Sequence, residues 1–423
     1  MSNTDVIVVG AGVAGLAAAA TLRAAGRTCV VLEASGRIGG RAHTTILGTD
    51  PFDLGATWLH DAGRNRLADL ARAAGDPLAD ADTPRNRALM VEGRPADAQQ
   101  QAAYWRAAAA FTRACQAHAA TEPDVSLAEA IDPLRDDPWM NTIETWEATL
   151  IAAADPRRFS VRDWADNTLN GSNLWATGGI GALVERRLVP LAGPSIQLGT
   201  PVRRISWGGP GVNVTGDFGT LHAASCIVTV SVGVLAAGTI AFDPPLPDTT
   251  QAAIAGLPMG LLTKVGLRVA AGQRLGLAPD TSLRRQVRRP LEPTMSFHAW
   301  PFGAAHIAGF VGGPAAWDLA HTGPAATEAF ARAQLESLLG PQATAAVEEV
   351  VVSNWGCDPL HRGAYTYALP GHSGARAALA RPLAGGRLAF AGEAVCTDGL
   401  AGTVGGAFLS GEAAARNAPF RKR

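Results

Sequence analysis

The sequence predicts an α/β protein built around a Rossmann-like dinucleotide-binding domain, and three observations predict it. A β-branched run at Asp5–Val9 enters Gly10-Ala11-Gly12-Val13-Ala14-Gly15 and continues as an alanine-rich stretch to about Ala25, which reads as strand, glycine turn and helix. Gly26 closes that helix, and a second buried strand, Thr28–Leu32, ends at Glu33. The 423 residues are 47% hydrophobic and 17% charged, which suits a large core divided between two interleaved domains.

Each part of the N-terminal unit has a physical task. Gly10 permits the tight turn, Gly12 lets a pyrophosphate approach the backbone, and Gly15 lets helix and strand pack closely. The phosphates then meet free N–H groups at the helix N-terminus, beside Ala14. Glu33 is placed to accept hydrogen bonds from both ribose hydroxyls. At this point NAD and FAD fit equally well.

Composition removes other classes. The 36 basic and 37 acidic residues leave a net charge of −1, so there is no electrostatic footprint for nucleic acid and no polybasic membrane patch. The apolar stretch Val6–Leu22 has no Lys or Arg before it and carries three glycines, so it reads as strand plus helix rather than signal peptide or membrane span. Cys29, Cys115, Cys226, Cys357 and Cys396 are odd in number and include no Cys-x-x-Cys, which suggests neither a disulfide framework nor a metal site and fits a reducing cytoplasm. No segment specifies an oligomeric state.

After Glu33, Ala34 begins a second turn in which Gly39-Gly40 stands between Arg37 and Arg41. Here the sequence resembles the flavin-containing amine oxidase superfamily, in which an Arg-x-Gly-Gly-Arg run follows the ribose-binding acid and helps hold the FAD diphosphate. Two forked guanidiniums beside an exposed glycine backbone suit a doubly charged anion. The resemblance implies FAD in a glutathione-reductase-type domain, and its pattern is closest to polyamine oxidases.

The likeness spans nearly the whole chain, being weakest between about Asp80 and Gly171. Phe52–His60, with Gly55, Ala56, Thr57 and Trp58, is similar to a polyamine-oxidase segment that lies along the flavin. Gly178–Leu183 resembles a glycine turn leading into a helix. Val202–Ser206, Val212–Thr215 and Cys226–Val230 read as strands of an antiparallel insert and the return to the nucleotide sheet, with Val202 expected at the cofactor. Val228–Leu235 followed by Phe242–Pro247 resembles the family's crossing into the substrate domain. Arg387–Glu393 reads as a strand ending in Gly392-Glu393, whose carboxylate the resemblance places at the ribityl hydroxyls. Thr403 and Val404 open a glycine-rich helix whose N–H groups and positive end would face the flavin N1–C2=O edge. The implied organisation is discontinuous: residues 1–80, 186–235 and 385–423 form the FAD-binding domain, and 81–185 and 236–384 an α+β substrate-binding domain of mixed sheet plus helical cap.

Lysine usage points to the reacting centre. The chain has two lysines, Lys264 and the terminal Lys422, against 34 arginines. Met259–Val265 resembles the family's Met-Gly-x-x-x-Lys-Val strand, whose lysine holds a water against flavin N5. A compact ammonium can hold one water and lose its proton when buried, whereas a guanidinium is forked and permanently charged. Trp355 and Arg362–Tyr367, with Tyr365, resemble the segments that wall the flavin face. Ala364 replaces the cysteine by which some relatives attach flavin covalently, so the FAD is expected to be non-covalent. The second aromatic wall of those relatives falls at Thr403. Cys357 and Cys396 read as small core residues.

His60 and Asp61 occupy the stretch where polyamine oxidases contact the substrate chain. From His118 to Ala148 there are eight acids and one base, Arg135, in what reads as the helical cap; such a face would attract a cationic amine. The function that follows is an FAD-dependent oxidase of amines, with a small-molecule amine and O2 as partners, no metal, and Lys264, Trp355, Tyr365 and His60 as catalytic residues. An L-amino-acid oxidase would need a cation for the carboxylate, which those relatives carry where this chain has Thr57-Trp58. A flavin desaturase or isomerase would not need the Lys264, Trp355 and Tyr365 set, and a non-catalytic flavin-binding interaction protein is a further alternative.

Overall fold

The computed structural model describes residues 4–82 and 86–419; Lys422 and its basic neighbours lie outside the described residues. Val6–Val9 is the centre of a five-stranded parallel sheet in the order 196–197, 29–32, 6–9, 225–228, 388–390. Its four residues are all β-branched and at most 3% exposed, as a parallel strand covered on both faces requires. The helix Val13–Ala24 follows and packs against the last helix, Val404–Asn417. Backbone contact makes that packing tight: a Cβ on Gly411 would stand 2.1 Å from Ala14 O. The two ends of the chain therefore build one layer.

The antiparallel insert is larger than expected. Val202–Ser206 and Val212–Gly216 are joined by a third strand, Gly219–Ala223, and Ala241–Asp243 pairs parallel with Val202–Ser206. Ala241–Asp243 follows residue 235, so the meander's edge strand comes from the segment assigned to the other half of the chain.

A seven-stranded mixed sheet forms the second body, in the order 347–352, 262–269, 306–312, 296–299, 281–285, 86–91, 94–95. Every pairing is antiparallel except that of Asn86–Val91 with Thr281–Arg285. The segment 81–185 assigned to the substrate-binding domain thus starts with two strands, and the expected cap, 118–148, is helical. Asp97 opens Ala98–Ala119 with a capping box, Ser126 opens Leu127–Ala130 with another, and Met140–Glu144 runs into a π-helical turn, Thr145–Ile151. Tyr104, Phe111, Trp139 and Ile143 are the centre of the core beneath these helices.

Much of the acidic run is held by protein partners, whereas Asp132 and Asp136 are exposed. Glu144 takes both arms of Arg135 at 2.6 and 2.7 Å, Glu129 completes a capping box, Glu122 pairs with Arg162, and Asp124 accepts the Ser160 hydroxyl. Glu147 alone of the eight lines the cavity described below. Cys357 is also corrected: it is exposed, with its thiol directed at Ala320 O, whereas Cys396 is buried.

Candidate active site

The turn after Val9 is shaped as the glycine spacing predicts. Gly10 has φ +105°, a conformation that side chains other than glycine rarely adopt, and a Cβ on Gly15 would lie 1.9 Å from Gly10 O. Gly12 is different, because a Cβ there would meet nothing nearer than Gly40 Cα at 4.0 Å. Space is therefore left on the side where a phosphate would approach. Glu33 closes the turn from the next strand, accepting Ala11 N–H at 2.7 Å and Ser35 N–H at 2.8 Å.

One cavity of about 1270 Å³ starts here and runs between the two sheets. Roughly 300–1,000 Å³ accommodates one drug-sized ligand, so this volume has room for a long cofactor and a substrate together. Gly10, Gly12, Ala14, Glu33, Ala34, Gly39, Gly40 and Arg41 line its first part. Gly55, Ala56, Thr57, Trp58, His60, Val202, Lys264, Trp355, Tyr365, Gly392, Glu393, Thr403 and Val404 line the rest. Gly15 stands behind the wall as a packing residue.

Several of these groups have partners that the sequence reading did not assign. Arg41 donates to Ala364 O at 2.7 Å and to Glu393 Oε1 at 2.9 Å, while Glu393 Oε2 accepts the Thr366 hydroxyl at 2.8 Å. Arg41 and Glu393 thus clamp the glycine turn to the C-terminal strand while both still line the cavity. Arg37 donates to Gly40 O at 2.7 Å and stacks over Trp355. Trp355 is buried and lines the cavity, with its indole N–H donated to Leu54 O at 2.8 Å and its ring in edge contact with His43 and His361. Thr403 caps the last helix by accepting Gly406 N–H, which leaves the first N–H groups of Val404–Asn417 at the cavity.

Lys264 lies on the strand Leu262–Val269 at 5% exposure. Its Nζ donates to Gly55 O, Thr57 Oγ1 and, at 3.3 Å, Asp53 O, and stands 5.6 Å from the Trp58 ring and 5.7 Å from that of Phe310. Burial lowers its pKa to about 8, against the opposing pull of the Asp53 carboxylate. The ammonium form has all three N–H donors engaged; the neutral form that burial favours has a lone pair able to hold a proton or a water.

Asp53 is a residue that sequence reasoning missed. It is buried, accepts Thr44 Oγ1 and the N–H of Ile180 at 3.0 Å, and so caps the helix Ile180–Arg187 while facing Lys264. Its place in Phe-Asp-Leu-Gly ahead of the flavin segment was the available signal.

Tyr365 donates its hydroxyl to Ile151 O at 2.8 Å, and burial pushes its pKa up. Its ring lies beside Gly402, so Tyr365 and the Thr403 turn are neighbours across the cavity. His60 stacks on Trp58 and shares a 2.7 Å hydrogen bond with Asn173; burial lowers its pKa, keeping the ring neutral near pH 7. Asp61 turns away from the cavity to bond Arg64 at 2.7 Å.

The parallel sheet with its glycine turn, joined by one cavity to a buried lysine and an aromatic chamber, defines a dinucleotide-cofactor oxidoreductase. Residues 13–418 match the model of the flavin containing amine oxidoreductase family, and the chain belongs to that family, with FAD as its cofactor. Polyamine oxidase 2 of Arabidopsis thaliana is 30% identical over 99% of this chain and 89% of its own length, and polyamine oxidase 5 of Oryza sativa subsp. japonica is 29% identical over 98% and 88%. Lysine-specific histone demethylase 1 homolog 2 of Arabidopsis thaliana is 30% identical over 96% of this chain, which spans only 57% of that relative. In fold the chain is similar to a putrescine oxidase solved with putrescine (TM-score 0.81, 21% identity, 98% of each chain). It is equally similar to cyclohexylamine oxidase from Brevibacterium oxydans IH-35A (TM-score 0.81, 23% identity, 98% of each chain).

Proposed function

We propose that the protein oxidises a primary or secondary amine at the carbon next to nitrogen, using FAD held without a covalent bond. Bound FAD supplies the redox chemistry, taking a hydride at N5 and passing the electrons to O2 to give H2O2. The observation that carries this reading is the single cavity that leads from the glycine turn, past Lys264, into an aromatic chamber.

The residues of the first half fit the cofactor. Gly12 leaves open space beside a helix N-terminus, Glu33 stands at the strand end, and the helix that Thr403 caps presents the Val404 backbone N–H from the far side. In this reading residues 1–80, 186–235 and 385–423 bind FAD, and 81–185 and 236–384 shape the substrate chamber.

An amine can give up a hydride only while its nitrogen lone pair is free, so it must react neutral. Trp58, Phe310 and Tyr365 make a wall that excludes water and favours the neutral form by desolvation. Lys264 Nζ holds a proton or a water at the same wall. His60, neutral and fixed by Asn173, orients the substrate without charge. Water hydrolyses the imine product to an aldehyde with release of ammonia from a primary amine or of the remaining amine from a secondary one. The five free thiols fit a cytoplasmic residence, and among the described residues no helix is long and apolar enough to cross a membrane.

The test is peroxide release by the purified yellow protein from spermine, spermidine, N-acetylated polyamines, putrescine, aromatic monoamines and L-amino acids. Amines are expected to be turned over; activity confined to L-amino acids contradicts the reading. Acid precipitation should release the flavin into the supernatant, because Ala364 offers no thiol for attachment.

A further inference from the structure

The substrate end of the cavity carries a cation that the proposed chemistry does not use. Arg284 lies on the strand Thr281–Arg285 and lines the chamber, with its guanidinium carbon 3.2 Å from the centroid of the Trp146 ring. The Tyr104 hydroxyl lies close enough to favour the charged form of Arg284. Four other half-buried or buried arginines, Arg41, Arg135, Arg285 and Arg376, each hold a carboxylate at 2.6–2.9 Å, while Arg37 rests on the backbone carbonyls of Ile38 and Gly40. Among the described residues Arg284 has no such ion pair. Glu147, which attracts it over a longer range, is tied to Trp164 Nε1 at 3.2 Å, and burial pushes its carboxyl pKa up. Enclosing a guanidinium without a paired anion is costly, which leaves a place for an anion on the ligand.

Register fixes where that place is. Lys264 pairs with Phe310 and Phe310 with Ser296; the pairing of Leu283 with Phe297, continued by one residue, sets Arg284 opposite Ser296. These four residues stand in one row on one face of the sheet, and all four line the cavity. Three strand spacings of about 4.8 Å separate the Lys264 and Arg284 backbones by about 14 Å. An α-amino acid has its carboxylate one bond from the oxidised carbon and cannot reach from one end of this row to the other. A polyamine would bring a second ammonium toward a guanidinium.

We propose that the preferred substrate is an amine with a carboxylate, or an equally charged anionic head, remote from the oxidised carbon, and that Arg284, with Tyr104 beside it, docks that anion. This rests on the amine-oxidase reading of the Lys264 end.

The test uses the purified holoenzyme and compares ω-amino acids of increasing chain length with matched diamines and n-alkylamines, by oxygen uptake. Hexanoate, which has no amine, is titrated separately through the change it makes in the bound flavin's absorption spectrum. One ω-amino acid is expected to exceed its matched alkylamine and diamine in kcat/KM. Arg284→Gln is expected to raise KM for that ω-amino acid at least about 30-fold more than for the alkylamine, and to weaken hexanoate binding by a similar factor. Tyr104→Phe, a smaller change, should weaken hexanoate severalfold. Preference for the diamines in the wild type, or hexanoate affinity unmoved by Arg284→Gln, overturns the proposal. If no amine reduces the flavin, the amine-oxidase reading fails on its own, while the hexanoate titration still decides Arg284.

Discussion

Lys264 could be singled out in the sequence because the chain otherwise writes its basic residues as arginine; Arg284 could not, because one arginine among 34 carries no such signal. Burial lowers the lysine to a pKa of about 8 and places it under the segment Gly55–Trp58. Lys264→Met keeps the volume and removes the amine, so it should retain bound FAD and slow flavin reduction or reoxidation; rapid-mixing measurements of both half-reactions check this, and unchanged rates would make the residue structural. His306 gives a separate acid-stability prediction. Burial holds its pKa at about 4, with Nδ1 3.9 Å from Asp50, while an unfolded histidine titrates near 6.5. The folded state stays neutral while the unfolded state takes up a proton, so stability is complete above pH 6.5 and falls toward pH 4. Between pH 7 and pH 5 the wild type should lose about 2 kcal/mol more than His306→Phe, as measured by urea unfolding at the two pH values.

At the scale of elements, the site depends on helix ends and close backbone approaches. Asp53 joins a cap to a charge partner, since it receives the Ile180 N–H and faces Lys264. Asp53→Ala should cost about 1–2 kcal/mol in urea unfolding through the cap. It should also lower the Lys264 pKa further, because the carboxylate's opposing pull is gone. Gly411→Ala should cost about 1–3 kcal/mol, because its Cβ would meet Ala14 O where the first and last helices touch. Gly36→Ala is the control: nothing lies within 4 Å of that Cβ, and the midpoint should hardly move. Elements with local signals were legible, including the Val6–Val9 strand, the helix begun at Thr403 and the Leu262–Val269 strand. Gly219–Ala223 and Asn86–Val91 were not, because a strand whose partners are distant takes its state from the sheet that receives it.

Over the whole molecule, the family and its FAD were legible in the sequence, since dinucleotide binding uses backbone geometry that leaves a recurring glycine pattern. The substrate half was legible in class only. Its wall comes from side chains of the 86–169 region and the seven-stranded sheet, brought together by register rather than by any local motif. The acids of 118–148 show the limit of charge counting: Glu122 and Glu144 pair with arginines, Glu129 completes a cap, and Asp124 and Glu147 bond Ser160 and Trp164, which a count of charges does not reveal. The helix Val161–Asp166 is tied to Ala375–Ala380 by the buried pair Asp163–Arg376 at 2.7 Å. Arg376→Met should cost about 3–5 kcal/mol, read as a lowered unfolding midpoint, because it leaves Asp163 buried without its cation. The central claim, amine oxidation by a flavin at the Lys264 wall, is tested most directly by anaerobic mixing of the yellow holoenzyme with amines, followed by readmission of O2. The account predicts bleaching of the flavin absorption by an amine and its return with O2, with one H2O2 formed per flavin; a flavin that no amine bleaches, in a protein shown to be folded and FAD-loaded, would contradict it.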